Sequence, residues 1–433
     1  MIKKIAGTAG TRILNALFTL VILWLFTNYV GSKGLGIIGL VILDITIIQL
    51  FYDLLSGNPL VYFASRTQLI KLIIPAYVWI IIVSLAVPAL FILIACFFPG
   101  LANAVVPSGF GTHIIILATV NGFTQVHYNI LIGQGKIKVY NILFTLQILL
   151  TLAVFSFLVF DGGTVNDYIT AMYAGWGFVS LISMIIVLRK MEITSLKGWI
   201  VESKKVIRFG MIGFAANIFH IGNKRFAFYF IKAFSGLSPL GVYNAGAQLT
   251  EGVRIIGQSI SLVQYSAISG SRSGTYARNL TISLMKVSVF LTIFALLILI
   301  LIPSGIYELV LSKNFAQVKT IIVFLSPGVL ALSANTVFSH YFSGMGRPSV
   351  NLRSNIYGFA VTIVFALLLI PDFGIYGAAL TASLSYITSV VYQFYIFKNE
   401  TGTKLREWKI TVADFRNLRL LISKHNKKSG GDE

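Results

Sequence analysis

Apolar runs about as long as a bilayer is thick follow one another from residue 7 to residue 397, separated by short polar joins. A spanning helix needs about 20 mostly apolar residues. That rule predicts twelve helices, at 7–30, 36–54, 72–98, 112–133, 140–160, 168–188, 209–231, 240–266, 279–302, 319–342, 349–370 and 375–397. No join is long enough to fold as a separate extramembrane domain. The fold class expected is an all-α polytopic membrane protein of about twelve transmembrane helices.

Charges interrupt this pattern. Arg12, Asp44, Lys224, Arg225, Glu251, Arg254 and Lys286 fall inside or at the edge of the apolar runs. Ionisable groups at membrane depth are costly, and they persist where they face a watery cavity, a partner charge or a charged ligand. Polar residues also recur at helical spacing. Helix 1 carries Thr8, Arg12, Asn15 and Thr19 on one narrow face, and helix 8 carries Asn244, Gln248, Glu251 and Gln258 with Arg254 at the margin. Helix 7 offers Asn217, His220 and Lys224 with Arg225 beside them, and helix 4 offers Asn121, Gln125 and Asn129. For Asn, Gln and Thr two readings stand, interhelical hydrogen bonding and cavity lining. Glu251 and Arg254, three residues apart, can pair on one helix face. Asp44 could neutralise a cation across a cavity. Lys286 and Asp53 are expected near helix ends, where snorkelling accommodates them.

Composition sharpens the class. The 433 residues are 56% hydrophobic and 11% charged, with a mean hydropathy of +0.85; a soluble domain carries roughly a quarter charged residues. The net charge of +20 suits a membrane protein better than a nucleic-acid binder, because its basic residues gather in alternate loops. One set holds Lys3, Lys4, Arg66, Lys71, Lys136, Lys138, the run from Arg189 to Arg208, Arg272, Arg278, Arg347, Arg353 and the tail. The other holds only Lys33, Lys232, Lys313 and Lys319, beside Asp161, Asp167, Glu308 and Asp372. This bias predicts that both termini are cytoplasmic. The start, basic and then apolar but without a small-residue cleavage site, reads as a retained first helix. Lone Cys96 forms no intrachain disulfide. No zinc spacing, Walker loop or GxSxG motif appears, so neither a metal, a cofactor nor an enzymatic activity is expected.

The chain also echoes itself. Leu35-Gly36-Ile37-Ile38 follows helix 1 and Leu240-Gly241-Val242-Tyr243 follows helix 7; Gly133-Gln134-Gly135-Lys136 ends helix 4 and Gly344-Met345-Gly346-Arg347 ends helix 10. Two six-helix halves of one orientation imply a pseudo-twofold along the membrane normal with a cavity between them. The expected organisation is an N-terminal lobe at 1–190, an inter-lobe loop at 191–208, a C-terminal lobe at 209–397 and a basic tail at 398–433. Cations facing a cavity suit phosphate, which Arg clamps in a bidentate fork and Lys meets as a point charge.

Three stretches carry a resemblance: Lys204-Lys205-Val206-Ile207-Arg208-Phe209-Gly210, then Asn223-Lys224-Arg225-Phe226 with Leu240-Gly241-Val242-Tyr243-Asn244-Ala245, and Gly374-Ile375-Tyr376-Gly377-Ala378-Ala379-Leu380. With the two Gly-x-Gly-Lys/Arg turns they make the chain, over about residues 5–400, resemble the Wzx-type O-antigen or capsule repeat-unit flippases. These are polysaccharide-export proteins of the multidrug/oligosaccharidyl-lipid/polysaccharide superfamily. The resemblance implies two six-helix lobes in a V that alternate between inward-open and outward-open states. It implies as cargo an oligosaccharide on a polyprenyl diphosphate, moved across the bacterial inner membrane, and work alongside a polymerase and glycosyltransferases. By position within helices it implies that Arg12, Lys224, Arg225 and Arg254 hold the diphosphate. Asn15, Asn121, Gln125, Asn217, Asn244 and Gln248 are the polar lining expected, and Asp44 and Glu251 are the acids open to a coupling ion, H+ or Na+, or to ion pairing. A multidrug exporter of the same superfamily is the alternative, although its cationic cargo would favour an acidic and aromatic site. A membrane glycosyltransferase or polymerase would need a large extramembrane loop or an acidic motif that the chain lacks.

Overall fold

The computed structural model describes residues 2–100, 105–189, 191, 198–269 and 273–409. The side chains of residues 1–9, with Thr8 of the helix 1 stripe, and most of the expected tail lie outside the described residues. In chain order the helices are α1 (Ile2–Leu25), α2 (Gly31–Ser56), α3 (Asn58–Phe63), α4 (Ile70–Phe97), α5 (Gly111–Gly133), α6 (Ile137–Leu158) and α7 (Val165–Leu188). They continue with α8 (Trp199–Arg225), α9 (Ala227–Ser235), α10 (Leu237–Ser269), α11 (Gly274–Leu301), α12 (Ser304–Leu311), α13 (Val318–Gly344) and α14 (Pro348–Thr401). Among the described residues eight helical segments are long and apolar enough to cross a membrane, and two of them run for 54 residues. The first of these covers the expected helices 1 and 2, the second helices 11 and 12.

Apolar side chains cover the outside. Phe157 is 82% exposed, Leu309 82% and Leu301 75%, an arrangement that suits lipid and not water. The protein is a multi-pass membrane protein.

Joins between consecutive helices show how the backbone meets the demands of hydrocarbon, where each N–H and C=O must find a partner within the protein. Between α1 and α2 the helix widens into a π turn, Phe26–Val30. Side chains occupy the loosened carbonyls: Asn28 Nδ2 donates to Trp24 O at 2.9 Å and to Val310 O at 2.8 Å, and Ser312 Oγ donates to Thr27 O at 3.0 Å. Within α14 the backbone breaks at Gly374, where φ is +53°, three residues after Pro371. The two expected helices are therefore two in fact. In α13 Pro327 disrupts the ladder, and Ser383 Oγ is spliced into it. Gly328 N donates to that hydroxyl at 3.2 Å, and the hydroxyl donates to Phe324 O at 2.6 Å.

Two departures from expectation matter below. The expected helix 7 is broken, since α8 stops at Arg225 and α9 starts at Ala227. Lys286 lies near the middle of α11, not near a helix end.

Contacts divide the chain into two compact units. The first comprises Met1–Ile221, Phe228–Ala245 and Glu308–Phe315, and the second Gly222–Ala227, Gly246–Tyr307 and Ala316–Glu433. In the first unit the two glycine motifs of the internal echo meet. Gly36 of α2 lies against the backbone of Leu237 and Gly241, Gly241 lies against Ser32 O, and the hydroxyls of Ser32 and Ser238 are 2.5 Å apart. Only residues without a Cβ allow so close an approach. The echoed turns share a geometry as well. Lys136 N bonds Leu131 O at 2.8 Å across Gly135 (φ +73°), and Arg347 N bonds Phe342 O at 2.7 Å across Gly346 (φ +74°). Both are Schellman stops, which need the left-handed backbone that glycine adopts freely.

The second unit has an aromatic core in which Phe338, Phe394 and Phe397 surround Trp408 at 5.4–6.1 Å between ring centres. Glu407 bonds Arg278 of α11 at 2.5 Å. The Lys404 backbone N–H, followed by Arg278, holds that carboxyl below its usual range. The start of the expected tail is thus packed onto the helices.

Replacing Gly36 by Val should disrupt the α2–α10 crossing at a cost of about 1–3 kcal/mol. Gly213→Val, at a site with no neighbour within 4 Å, should cost less. Size-exclusion profiles of the two variants after graded heating in detergent compare them, and equal midpoints would contradict the close packing.

Candidate functional site

The break after Arg225 places two cations at a helix C-terminus inside the second unit. The last carbonyls of a helix carry partial negative charge, so Lys224 and Arg225 are favoured there. Asn223, 5% exposed, anchors this end. Its Oδ1 accepts from Thr362 Oγ1 at 3.1 Å and Ser385 Oγ at 3.0 Å, and its Nδ2 donates to Asn355 O at 3.1 Å. Gly222 packs closely against the Phe359 ring. A side chain at residue 222 would lift the end of α8 off α14.

Glu251 of α10 meets both cations. Lys224 Nζ is 3.2 Å from Glu251 Oε1, and Arg225 Nη2 is 3.0 Å from Oε1 and 3.1 Å from Oε2. Arg254, one turn on, interacts electrostatically with Glu251 and Lys224. Its Nε is buried and has no hydrogen-bond partner among the described residues. Tyr386 of α14 lies within electrostatic reach of Glu251, Arg254 and Arg225. Three cations thus surround one acid. Side-chain exposures of 15% for Lys224, 24% for Arg225 and 30% for Glu251 leave the group reachable. The excess positive charge, with one Arg fork incompletely used, can accept a compact polyanion such as a diphosphate.

The expected pairing of Glu251 with Arg254 is therefore replaced by pairing with Lys224 and Arg225. Asp44 belongs to the first unit, where Tyr229 donates to its Oδ1 at 2.6 Å. Arg12 also belongs to the first unit, on an exposed face of α1 beside Tyr140 of α6.

The expected polar lining divides. Asn244, 4% exposed, donates to Leu35 O at 3.3 Å and serves as interhelical glue, not as lining. Asn15, 5% exposed, is buried with both amide atoms unpartnered among the described residues. Asn121 donates to Gln49 at 3.2 Å, and Gln49 donates to Asp53 at 3.0 Å, a relay within the first unit. Gln125, Asn217 and Gln248 are half-buried. His127 is fully buried. Because Ser183 Oγ donates to Ser180 O, His127 Nδ1 donates to Ser183 and Nε2 accepts from Tyr77, which makes it a satisfied structural group.

No signal in the apolar pattern pointed to Tyr386, Asn223 or the break after Arg225. The run Gly222-Asn223-Lys224-Arg225 is the nearest cue, since four such residues in sequence weaken a spanning helix.

No family model matches the chain. A stretch of 166 residues is 26% identical to an uncharacterized membrane protein of Methanocaldococcus jannaschii, covering 37% of this chain and 33% of that protein. Another, of 119 residues, is 22% identical to a capsular polysaccharide biosynthesis protein of Staphylococcus aureus, covering 28% of this chain and 30% of that one. The matches span about a third of these relatives' lengths. The fold is similar to that of a lipid II flippase in an inward closed conformation, with a TM-score of 0.73, 16% identity, and coverage of 98% of this chain and 93% of that one. It is also similar to an inward-facing multidrug resistance transporter of the MATE family, with a TM-score of 0.69, 14% identity and 96% coverage of each chain.

Removing the shared acid tests the electrostatic reading. Glu251→Gln strands two partly buried cations and should cost about 1–3 kcal/mol of stability, and adding Lys224→Met should restore part of it. Thermal unfolding in detergent reads both values, and a stabilised single variant would overturn the assignment. The fold is all-α and similar to that of these two membrane transporters.

Proposed function

We propose that this protein is a flippase that carries a polyprenyl-diphosphate-linked oligosaccharide, a repeat unit of O-antigen, capsule or exopolysaccharide, from the cytoplasmic to the periplasmic leaflet of a bacterial inner membrane. The observation that carries this reading is the Lys224–Arg225–Arg254 group around Glu251. A net cationic cluster held at membrane depth at a broken helix is costly unless an anion uses it. A diphosphate provides two adjacent phosphates for two Arg forks and a Lys.

The shared fold with a lipid II flippase and the short match to a capsular polysaccharide biosynthesis protein support the same cargo class. The balance between the two access states is set by ligand contacts that differ between them. Both termini are taken as cytoplasmic, on the distribution of Lys and Arg. The oligosaccharide would come from glycosyltransferases and pass to a polymerase.

In a strain lacking the protein, lipid-linked oligosaccharide should accumulate on the cytoplasmic leaflet. Wild type should clear it, whereas Lys224→Ala with Arg225→Ala and Arg254→Ala should leave it within twofold of the empty strain at equal protein level. Full clearance by that variant would remove the basis of the proposal.

The proposed cycle includes parting of the α2–α10 crossing within the first unit. Ser32→Cys with Ser238→Cys, whose native hydroxyls are 2.5 Å apart, should stop transport under oxidation and regain it on reduction. Undiminished transport by the cross-linked protein would argue against movement at this crossing.

A further inference from the structure

In the second unit the chain doubles back on the helix it has just left. α14 ends at Thr401, and Gly402 (φ +62°) turns the chain with the left-handed backbone that glycine takes freely. Leu405–Trp408 then form a 3-10 turn. The Trp408 ring lies 5.4 Å from that of Phe394 and 5.9 Å from that of Phe397, both within the last two turns of α14. Glu407 fastens the same turn to Arg278 of α11.

This return sets a depth. From Ile375, just after the Gly374 break, to Phe397 the helix rises about 33 Å, close to the ~30 Å of hydrocarbon in a bilayer. Trp408 thus lies where hydrocarbon gives way to headgroups, the level that Trp side chains favour. It is also the end of α14 that the distribution of Lys and Arg marks as cytoplasmic. Val391 and Tyr395, on a neighbouring strip of the same helix, are 57% and 60% exposed, so lipid chains run beside the docked turn.

The charge at this level is positive. Lys404, Arg406 and Lys409 flank Trp408 in sequence and are exposed. The nearby acids Glu400 and Glu407 are taken up by Arg347 and Arg278, which leaves the three outward cations in excess. Orientation of the chain in the membrane requires only that basic residues lie on the cytoplasmic side. It does not require an aromatic anchor and an ion pair that hold three of them at headgroup depth.

We propose that the docked segment Lys404–Lys409 is a binding surface for anionic phospholipid, with the headgroup on Lys404, Arg406 and Lys409 and the chains along Val391 and Tyr395. Phosphatidylcholine fits less well, because its quaternary ammonium offsets the phosphate that the cations attract. An acidic protein segment would match the charge as well, but the depth of Trp408 and the apolar strip beside it favour lipid.

The test uses the full chain with its single cysteine removed by Cys96→Ser and a bimane label on Asn399→Cys, exposed near the end of α14. It is placed in phosphatidylcholine nanodiscs in which one lipid in ten carries a nitroxide at the headgroup end of one chain. That lipid is either phosphatidylglycerol or phosphatidylcholine. The phosphatidylglycerol probe should quench the label at least threefold more strongly than the phosphatidylcholine probe. Lys404→Gln with Arg406→Gln and Lys409→Gln should cut that ratio at least by half. Trp408→Ala, which keeps the charges and removes the anchor, should do the same. Equal quenching by the two probes would overturn the proposal and leave the surface to an acidic protein segment. An undiminished ratio in the charge variant or in Trp408→Ala would overturn it as well. If Trp408→Ala does not yield monodisperse protein, the starting ratio and the charge variant decide. None of these readouts depends on oligosaccharide transport.

Discussion

Hydrocarbon supplies no hydrogen-bond partners, and every irregular feature of this protein answers to that constraint. Where α1 passes to α2 the π turn is tolerated because Asn28 and Ser312 supply the donors that the backbone no longer does. Where Pro327 disrupts α13, a hydroxyl from α14 completes the ladder. The largest irregularity, the stop after Arg225, follows the same rule with charges. The open end of α8 is negative, the cations that occupy it need a counter-ion, and Glu251 on the next long helix supplies one. In this environment a broken helix and an ion cluster are two halves of one solution.

The constraint also explains what the sequence revealed. Span length is dictated by bilayer thickness, so most helices could be read from apolar runs, and the Pro371–Gly374 break could be read from residues that disrupt a helix anywhere. The echoed motifs at Gly36 and Gly241 were visible as letters. Their mutual contact was not, because backbone approach depends on helix crossing. Polar stripes were ambiguous for a physical reason. An amide on a buried face looks the same in sequence whether it reaches a carbonyl, as Asn244 does, a side chain, as Asn121 does, or no partner among the described residues, as with Asn15. Helical periodicity suggested Arg254 for Glu251, yet neighbours on one helix compete with cations from another. The end of α8 brought two of these closer.

The two units hold polar chemistry of opposite sign. The second gathers three cations on one acid; the first buries an acid in an apolar cavity with one cation nearby. Arg12 lies on an exposed face of α1 beside Tyr140, within the first unit.

Glu251 also bears on how a tight site could let go. Three bare cations would attract a diphosphate strongly, but they would repel one another without it and resist giving it up. With Glu251 in place the cations are already paired, so under the proposed function an arriving diphosphate would exchange with an internal anion. The carboxylate would thereby lower the free-energy difference between loaded and empty states. A transport site needs binding strong enough to load and weak enough to unload. An excess of cations over a single acid, rather than full neutralisation or none, meets both requirements.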